Sequence, residues 1–272
     1  CSSDLHIFTA VRSALEQSYR NIEVLVIDDA SGKKFDDILA RVATLDPRVR
    51  VLRQIENGGT YRIRNRALDE ASGELITFND SDDWMHPERI ALQVAHLLKH
   101  PDAMSNISMS TRLTDRLEAV ESNRRLRVGI CEPALMFRRL PVVEKIGYFD
   151  DVRKGGDTEY RKRLNRAFAQ DSAIVLPWRA LTLQRADNGG LTQGELGFRW
   201  IAEFRTAYRD SYQHWQIRLS KESGIARQVR QQQSELGNSD IARAYAFMNL
   251  FEVKLIMAWA KHVYTAARIL RI

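Results

Sequence analysis

The sequence predicts an α/β fold with a mostly parallel central sheet. Three observations predict it. Short apolar, β-rich runs alternate with segments of helical periodicity as far as Lys99. The runs 23–27 and 74–78 are largely continuous in apolarity rather than alternating, as strands buried on both faces are. Both end in acidic clusters, Asp28-Asp29 and Asp80-Ser81-Asp82-Asp83, and open α/β sheets bind ligands beyond the carboxyl ends of their strands.

The elements follow in order. Ser2, Ser3 and Asp4 offer helix caps, and Phe8, Val11 and Leu15 recur at helical spacing, which predicts a helix to about Tyr19. Glu23 to Ile27 reads as a buried strand, 35–45 as a helix and 49–52 as a short strand. Asn57-Gly58-Gly59 is a turn, and Thr60 would cap a helix running to Ala71. A strand at 74–78 precedes a helix from Pro87 to Lys99, with Pro87 suited to its first turn. Further on, 104–113, 133–137 and 174–183 read as strands, while 119–127 is a charged stretch without a clear pattern. From Gly197 the chain turns to long helical segments rich in Arg, Gln and Ala. A domain at 1–196 and a helical extension at 197–272 are therefore expected.

The 272 residues are enough for one large domain with such an appendage. A net charge of +6 can signal nucleic acid, an anionic surface or an acidic substrate. Here Arg and Lys are scattered, with no clustered basic face, so no nucleic-acid partner is expected. Two cysteines, Cys1 and Cys131, make neither a disulfide framework nor a metal-ligand spacing, and they suit a reducing cytosol. No apolar run reaches the roughly 18 residues of a membrane span, and no secretory signal is visible. The apolar stretch 241–272 would serve as a core helix pair, an oligomer contact or a membrane-surface helix. The stripe of Phe247, Leu250, Phe251 and Leu255 favours packing.

Several residues are suited to chemistry. Asp80 and Asp82 alternate at a strand end and would point into one site. Mg²⁺ and Mn²⁺ take one or two carboxylates plus substrate phosphates, so this pair suits a cation that arrives with a diphosphate. The competing reading is an acidic turn that caps the following helix. Asp29 would accept from a base N–H or a ribose hydroxyl, or else close an Asx turn over 28–32. Arg64 and Asn65 follow the glycine turn on a helix and would face the same cleft or the surface. Asp157, after Gly155-Gly156 and before an apparent helix, suits a general base, as does Glu159 nearby. Equally, the two would cap that helix and complement its dipole. Tyr61, Trp84 and Trp178 would stack on a sugar face or sit in the core.

Together these pieces resemble the family 2 glycosyltransferases, which have the GT-A (Rossmann-like) fold. The matching stretches are SALEQSYRNIEVLVIDDAS (13–31), NGGTYRIRNRALDEASGELITFNDSDDWMHPERI (57–90) and EKIGYFDDVRKGGDTEYRKRL (144–164). The resemblance covers about residues 5–190. It implies an α/β/α sandwich and an inverting transfer of a sugar from a nucleoside-diphosphate donor, a UDP-sugar. The acceptor would be a hydroxyl of a glycan or lipid-linked molecule, in surface polysaccharide biosynthesis. By motif, Asp29 would lie by the uracil and Arg64 near the nucleotide. Asp82 would be the direct ligand of Mn²⁺ or Mg²⁺, Asp80 would lie nearer the ribose and diphosphate, and Asp83 would support them. Asp157 would deprotonate the acceptor, with Glu159 the second choice. Arg185, in RADNGGLT (185–192), would belong to a loop that closes over the donor phosphates. A cytoplasmic enzyme is implied, peripheral at the inner face of the membrane or self-associating through its C-terminal helices. Family members begin with an apolar strand and a base-holding loop, so a central sheet lacking its first strand, in a trimmed chain, is expected. A catalytically inactive nucleotide-sugar or glycan-binding module of the same fold is the alternative.

Overall fold

The structure is a computed structural model that describes residues 2–114, 116–122, 125–126, 128–152, 154–168, 174–186 and 208–213. The chain opens with helix α1 (Ser2–Leu15), then strand β1 (Val24–Asp28), a 3₁₀ turn (Lys33–Phe35) and α2 (Asp36–Ala43). β2 (Val49–Arg53), α3 (Thr60–Glu70), β3 (Leu75–Ile76), β4 (Trp84–Met85) and α4 (Arg89–Lys99) follow. Next come β5 (Ser105–Leu113), β6 (Glu121–Ser122), β7 (Arg125–Leu126), β8 (Val128–Arg138), α5 (Arg139–Ile146), α6 (Gly156–Ala167) and β9 (Ile174–Arg185).

The expected mostly parallel central sheet is not what forms. The five-stranded sheet has the order β3-β8-β5-β9-β4. Only β5 and β9 run parallel; β3–β8, β8–β5 and β9–β4 are antiparallel. The sheet is mixed and curls into a half-barrel rather than lying open. A parallel neighbour needs a crossover long enough to return the chain to the same end, usually through a helix. Among the described residues between β5 and β8 there is no helix, only the β6–β7 hairpin, and β8 returns antiparallel. Alternation of strand and helix, the signal behind the parallel prediction, holds in the first part of the chain and stops at β5.

That first part keeps its parallel character as a separate pair, with Val24 opposite Val49 through Asp28 opposite Arg53. A cavity of about 1410 Å³ lies between β1 and β3, and its lining includes Val24 to Asp29 on one side and Gly73 to Asp83 on the other. Helices cover both faces of the larger sheet, as β8 shows by its alternation. Leu135 and Phe137 pack with Leu68 of α3, Val142 of α5, and Tyr160 and Leu164 of α6. Met136, between them, packs on Ile90, Val94 and Leu97 of α4. Successive side chains on a strand point to opposite faces, so one strand seeds two cores.

Local ends differ from expectation for stated reasons. α1 stops at Leu15, and Gln17 takes over: its amide donates to Ser13 O and His86 O and accepts from Ile90 N. Pro87 lies ahead of α4, where its carbonyl accepts from Ser18 N at 2.8 Å. The position before α3 is Gly59 at φ 83°, and Thr60 is already helical without a side-chain cap. The expected boundary near Gly197 and the apolar stretch 241–272 lie outside the described residues. Within the expected extension, 208–213 is helical and docks beside α6. There Tyr208 donates to Asp150 at 2.8 Å, and Lys162 donates to the Tyr212 hydroxyl at 3.3 Å.

Candidate active site

The acidic loop follows β3 and closes as a turn, with Asp83 N donating to Asp80 O at 3.1 Å. Asn79 secures it from within by donating to the carbonyls of Asp80 and Asp83, both at 3.0 Å. The turn sorts its three carboxylates. Asp82 is exposed and Asp80 partly so, while Asp83 points inward at 5% exposure. Asp83 accepts from Arg185 N at 3.1 Å and from the Gln184 amide at 3.4 Å, which ties the loop to the end of β9. Burial, together with the charges of Asp80 and Asp82, pushes the Asp83 carboxyl well above the ordinary range against those two bonds.

Across the cavity, Arg64 projects from α3 and is almost wholly buried. Its guanidinium pairs with Asp80 at 3.2 Å and lies 3.9 Å from Asp157. Three rings surround it: Phe78 at 5.1 Å, Tyr61 at 5.7 Å and Phe149 at 5.9 Å from ring centroid to guanidinium carbon. Aromatic faces stabilise a cation by their quadrupole, and the rings add to what the two carboxylates contribute here. Desolvation raises the Asp80 carboxyl above its ordinary value; Arg64 opposes this, and Asp82 and Asp157 add to it.

Asp157 stands in the first turn of α6, and Gly155 before it is left-handed at φ 83°. One oxygen accepts from Thr158 N at 2.8 Å. The Tyr61 hydroxyl also bonds to Asp157, and burial and that negative charge raise the phenol's pKa. Gly156 allows this close approach, because a Cβ there would meet ring carbons of Tyr61 at 3.0 Å.

Asp29, at the end of β1, accepts from Gly58 N and Gly59 N, both at 2.7 Å. The turn at 28–32 belongs instead to Asp28, which accepts from Ser31 N at 3.2 Å. Asp29 thus fixes the glycine turn that launches α3 and Arg64. Asp29, Arg64, Asp80, Asp82, Asp157 and Arg185 all line the one cavity, as does Asp83. Arg185 lies against the His6 imidazole, and the rest of its expected loop, 187–192, lies outside the described residues. Glu159 is not among the lining residues: it is fully buried and pairs with Arg163 at 2.7 Å. Tyr61 and Trp84 are core residues at 5% and 7% exposure, and the Trp178 side chain lies outside the described ones.

Among the described residues, no group of three or more His, Cys, Asp or Glu side chains is arranged to hold a metal ion. Asp80 and Asp82 offer two carboxylates on the cavity wall, Asp80 shared with Arg64 and Asp82 exposed. That donor set fits a hard divalent cation that brings phosphate oxygens with it, not a site built of protein alone.

Sequence reasoning missed Asn79, the inward turn of Asp83, and Glu132. Glu132 lines the cavity from β8, where it accepts from Arg161 at 2.8 Å and from the Thr158 hydroxyl at 3.1 Å. Asn79 carried a readable signal, since an Asn beside a turn is a common side-chain cap for its carbonyls. Glu132 carried none, because its partners lie on a distant helix.

Comparison with known proteins gives a consistent picture. Residues 7–149, just over half the chain, match the model described as glycosyl transferase family 2. EpsH of Bacillus subtilis is 37% identical over 87 residues, which cover 32% of this chain and 25% of EpsH. The Escherichia coli UDP-Glc:alpha-D-GlcNAc-diphosphoundecaprenol beta-1,3-glucosyltransferase WfaP is 36% identical over 88 residues, 32% of this chain and 34% of WfaP. The chain spans less than half the length of the curated relatives it matches first, 25 to 44%. The mannosyltransferase PcManGT of Pyrobaculum calidifontis, solved with GDP-Man and Mn²⁺, superposes with a TM-score of 0.55 at 16% identity, covering 97% of this chain and 78% of PcManGT. That likeness shows a shared, GT-A-related fold.

Proposed function

This chain belongs to glycosyl transferase family 2, and on that premise we propose that it moves a sugar from a nucleoside-diphosphate donor to a hydroxyl of a glycan or lipid-linked acceptor. The observation that carries the reading is the Arg64 bridge, which sets Asp80 at 3.2 Å and Asp157 at 3.9 Å from one guanidinium in one cavity. Two functions separated along the chain, donor binding and acceptor activation, thereby meet.

Asp82 and Asp80 would hold the donor's divalent cation, Mn²⁺ or Mg²⁺, which would supply neutralising charge for the leaving diphosphate. Asp157 takes the proton of the acceptor hydroxyl as its oxygen attacks C1 of the sugar from the side opposite the diphosphate, so the anomeric centre inverts. Arg64 holds Asp80 and Asp157 in register and lends positive charge to the diphosphate side. Asp29 keeps the glycine turn in place beside the nucleotide, and Arg185 contributes a second cation near the phosphates. Asp83 and Glu159 serve as struts. A UDP-sugar donor and a lipid-linked acceptor accord with the name of WfaP; PcManGT, solved with GDP-Man, keeps a GDP-sugar in view.

The test is release of nucleoside diphosphate from a panel of UDP- and GDP-sugars with Mn²⁺, with and without glycan and lipid-linked acceptors. General-base help is typically worth about 10² to 10⁴ in rate. Asp157→Asn is expected to lose turnover by about that factor and keep donor binding, whereas Asp82→Asn is expected to lose metal-dependent donor binding. Full metal-dependent turnover in Asp82→Asn would remove the metal assignment. Nucleotide binding without turnover on any donor would make the chain a binding module instead.

A further inference from the structure

Among the described residues, Arg89 is the largest of the fully buried side chains, at 0% exposure, and it lies behind the acidic loop. It opens α4, and all its bonded partners are neutral. Its guanidinium donates to the Phe78 carbonyl at 2.6 Å, the Thr77 hydroxyl at 2.8 Å and the Asn79 side-chain oxygen at 3.1 Å. It also reaches the Thr182 hydroxyl on β9 at 3.2 Å and the Gln93 side-chain oxygen at 3.3 Å. Gln93 is itself held in the core, donating to Ala134 O at 2.7 Å and to the Asn106 side-chain oxygen at 3.0 Å.

Burying a guanidinium is expensive unless its hydrogen bonds are made and its charge is balanced. The bonds are made. The acidic groups of the loop whose field reaches it are Asp83 and Asp80. The same cation meets a cost on the other side: Asp80, Asp82 and Asp83 repel one another at the end of a strand. Asn79 links the two halves, accepting from Arg89 while it donates to the Asp80 and Asp83 carbonyls.

We propose that Arg89 is the positioning residue of the acidic loop, a buried cation that, through Asn79, holds Asp80 and Asp82 in the geometry that takes the donor's divalent cation. The proposal rests on the donor reading above. Arg89 is not among the residues that line the cavity; its bonds to Thr77, Phe78 and Asn79 set the exit of the chain from β3, and its bond to Thr182 ties it to β9, whose end carries the Asp83 latch.

The experiment measures Mn²⁺ binding in the presence of UDP, by titration calorimetry or loss of the free-Mn²⁺ paramagnetic resonance signal, on the full chain. Supports of metal ligands are typically worth about 10- to 100-fold in affinity. Arg89→Lys, which keeps charge and loses the fork, is expected to weaken Mn²⁺ about 10-fold, and Arg89→Gln about 100-fold. Asn79→Ala, which leaves the buried charge alone, is expected to match Arg89→Lys, and the double variant to be no worse than either single one, since both cut the same link. Val142→Ala, on the buried face of α5, controls for lost stability: a similar fall in urea midpoint with unchanged Mn²⁺ affinity is expected. Unchanged affinity in Asn79→Ala, or in a folded Arg89 variant, overturns the proposal. If Arg89 variants do not fold, Asn79→Ala decides. A wild-type chain that binds no Mn²⁺ with UDP overturns the donor reading and this proposal with it; a wild type that binds, with variants equal to it, overturns this proposal alone.

Discussion

Glu23 joins parts of the molecule that share no strand pairing. Its carboxylate accepts from Ser72 N at 2.6 Å, the Ser72 hydroxyl at 2.8 Å and Gly73 N at 2.8 Å, just before β3, while it sits at the start of β1. Partial burial by itself would raise its pKa. The three bonds and Arg50 outweigh that, so it falls below the ordinary 4.5. A carboxyl depressed on folding stabilises the native state above its unfolded pKa and loses that contribution as pH falls through the folded value. Glu23→Gln is therefore expected to cost about 1–3 kcal/mol at pH 7. The gap to wild type should narrow steadily below pH 4.5 in urea melts; a gap independent of pH would refute the ionic role. Legibility at this scale was uneven. Asp29, Asp80, Asp82 and Asp157 could be picked out because each ends a recognisable strand or begins a recognisable helix. Glu23 and Glu132 could not, since an acid within or before a strand looks the same whether it is solvated or bound.

The start of α6 shows two local effects in opposition. Alanine in place of a glycine inside a helix ordinarily gains about 1 kcal/mol from reduced backbone freedom. At Gly156 the added carbon would lie 3.0 Å from ring atoms of Tyr61. That ring cannot retreat. It is stacked with Phe149 at 6.0 Å, and Phe149 is stacked in turn on Tyr160 at 4.0 Å. Overpacking a filled core typically costs about 1–3 kcal/mol, so Gly156→Ala is expected to destabilise by up to about 2 kcal/mol on balance. It should also lower turnover more than donor affinity, because α6 carries Asp157. Equal or greater thermal stability in that variant would show that the helix term wins. The glycine pair was readable as a helix start. Its reason, a ring arriving from α3, was not.

Across the whole molecule, the five-stranded sheet and the β1–β2 pair differ in how deeply they are set. β5 is buried along almost its full length, with a neighbour on each side, whereas the first four residues of β1 are only half-buried and it pairs on one edge. Local opening tracks buried contacts and protected backbone bonds. Amide hydrogens of β1 and β2 are therefore expected to exchange well before those of β5 and β8 in hydrogen–deuterium exchange; simultaneous exchange would mean that both sheets open as one unit. By itself, the sequence determined what depends on near neighbours: the strand and helix runs up to α4 apart from β4, the long strands at 104–113 and 174–183, the acidic turn and the glycine-acid start of α6. Periodicity and turn chemistry act over a few residues, so they survive without the fold. Only the tertiary structure decided the antiparallel return of β8, the inward turn of Asp83, the pairing of Arg64 with Asp80 and Asp157, and the burial of Arg89. Each of these depends on a partner brought close in space by the fold, as Arg185 is to Asp83 and Thr182 to Arg89. Such meetings are set by the free energy of the packed whole, which no local pattern records.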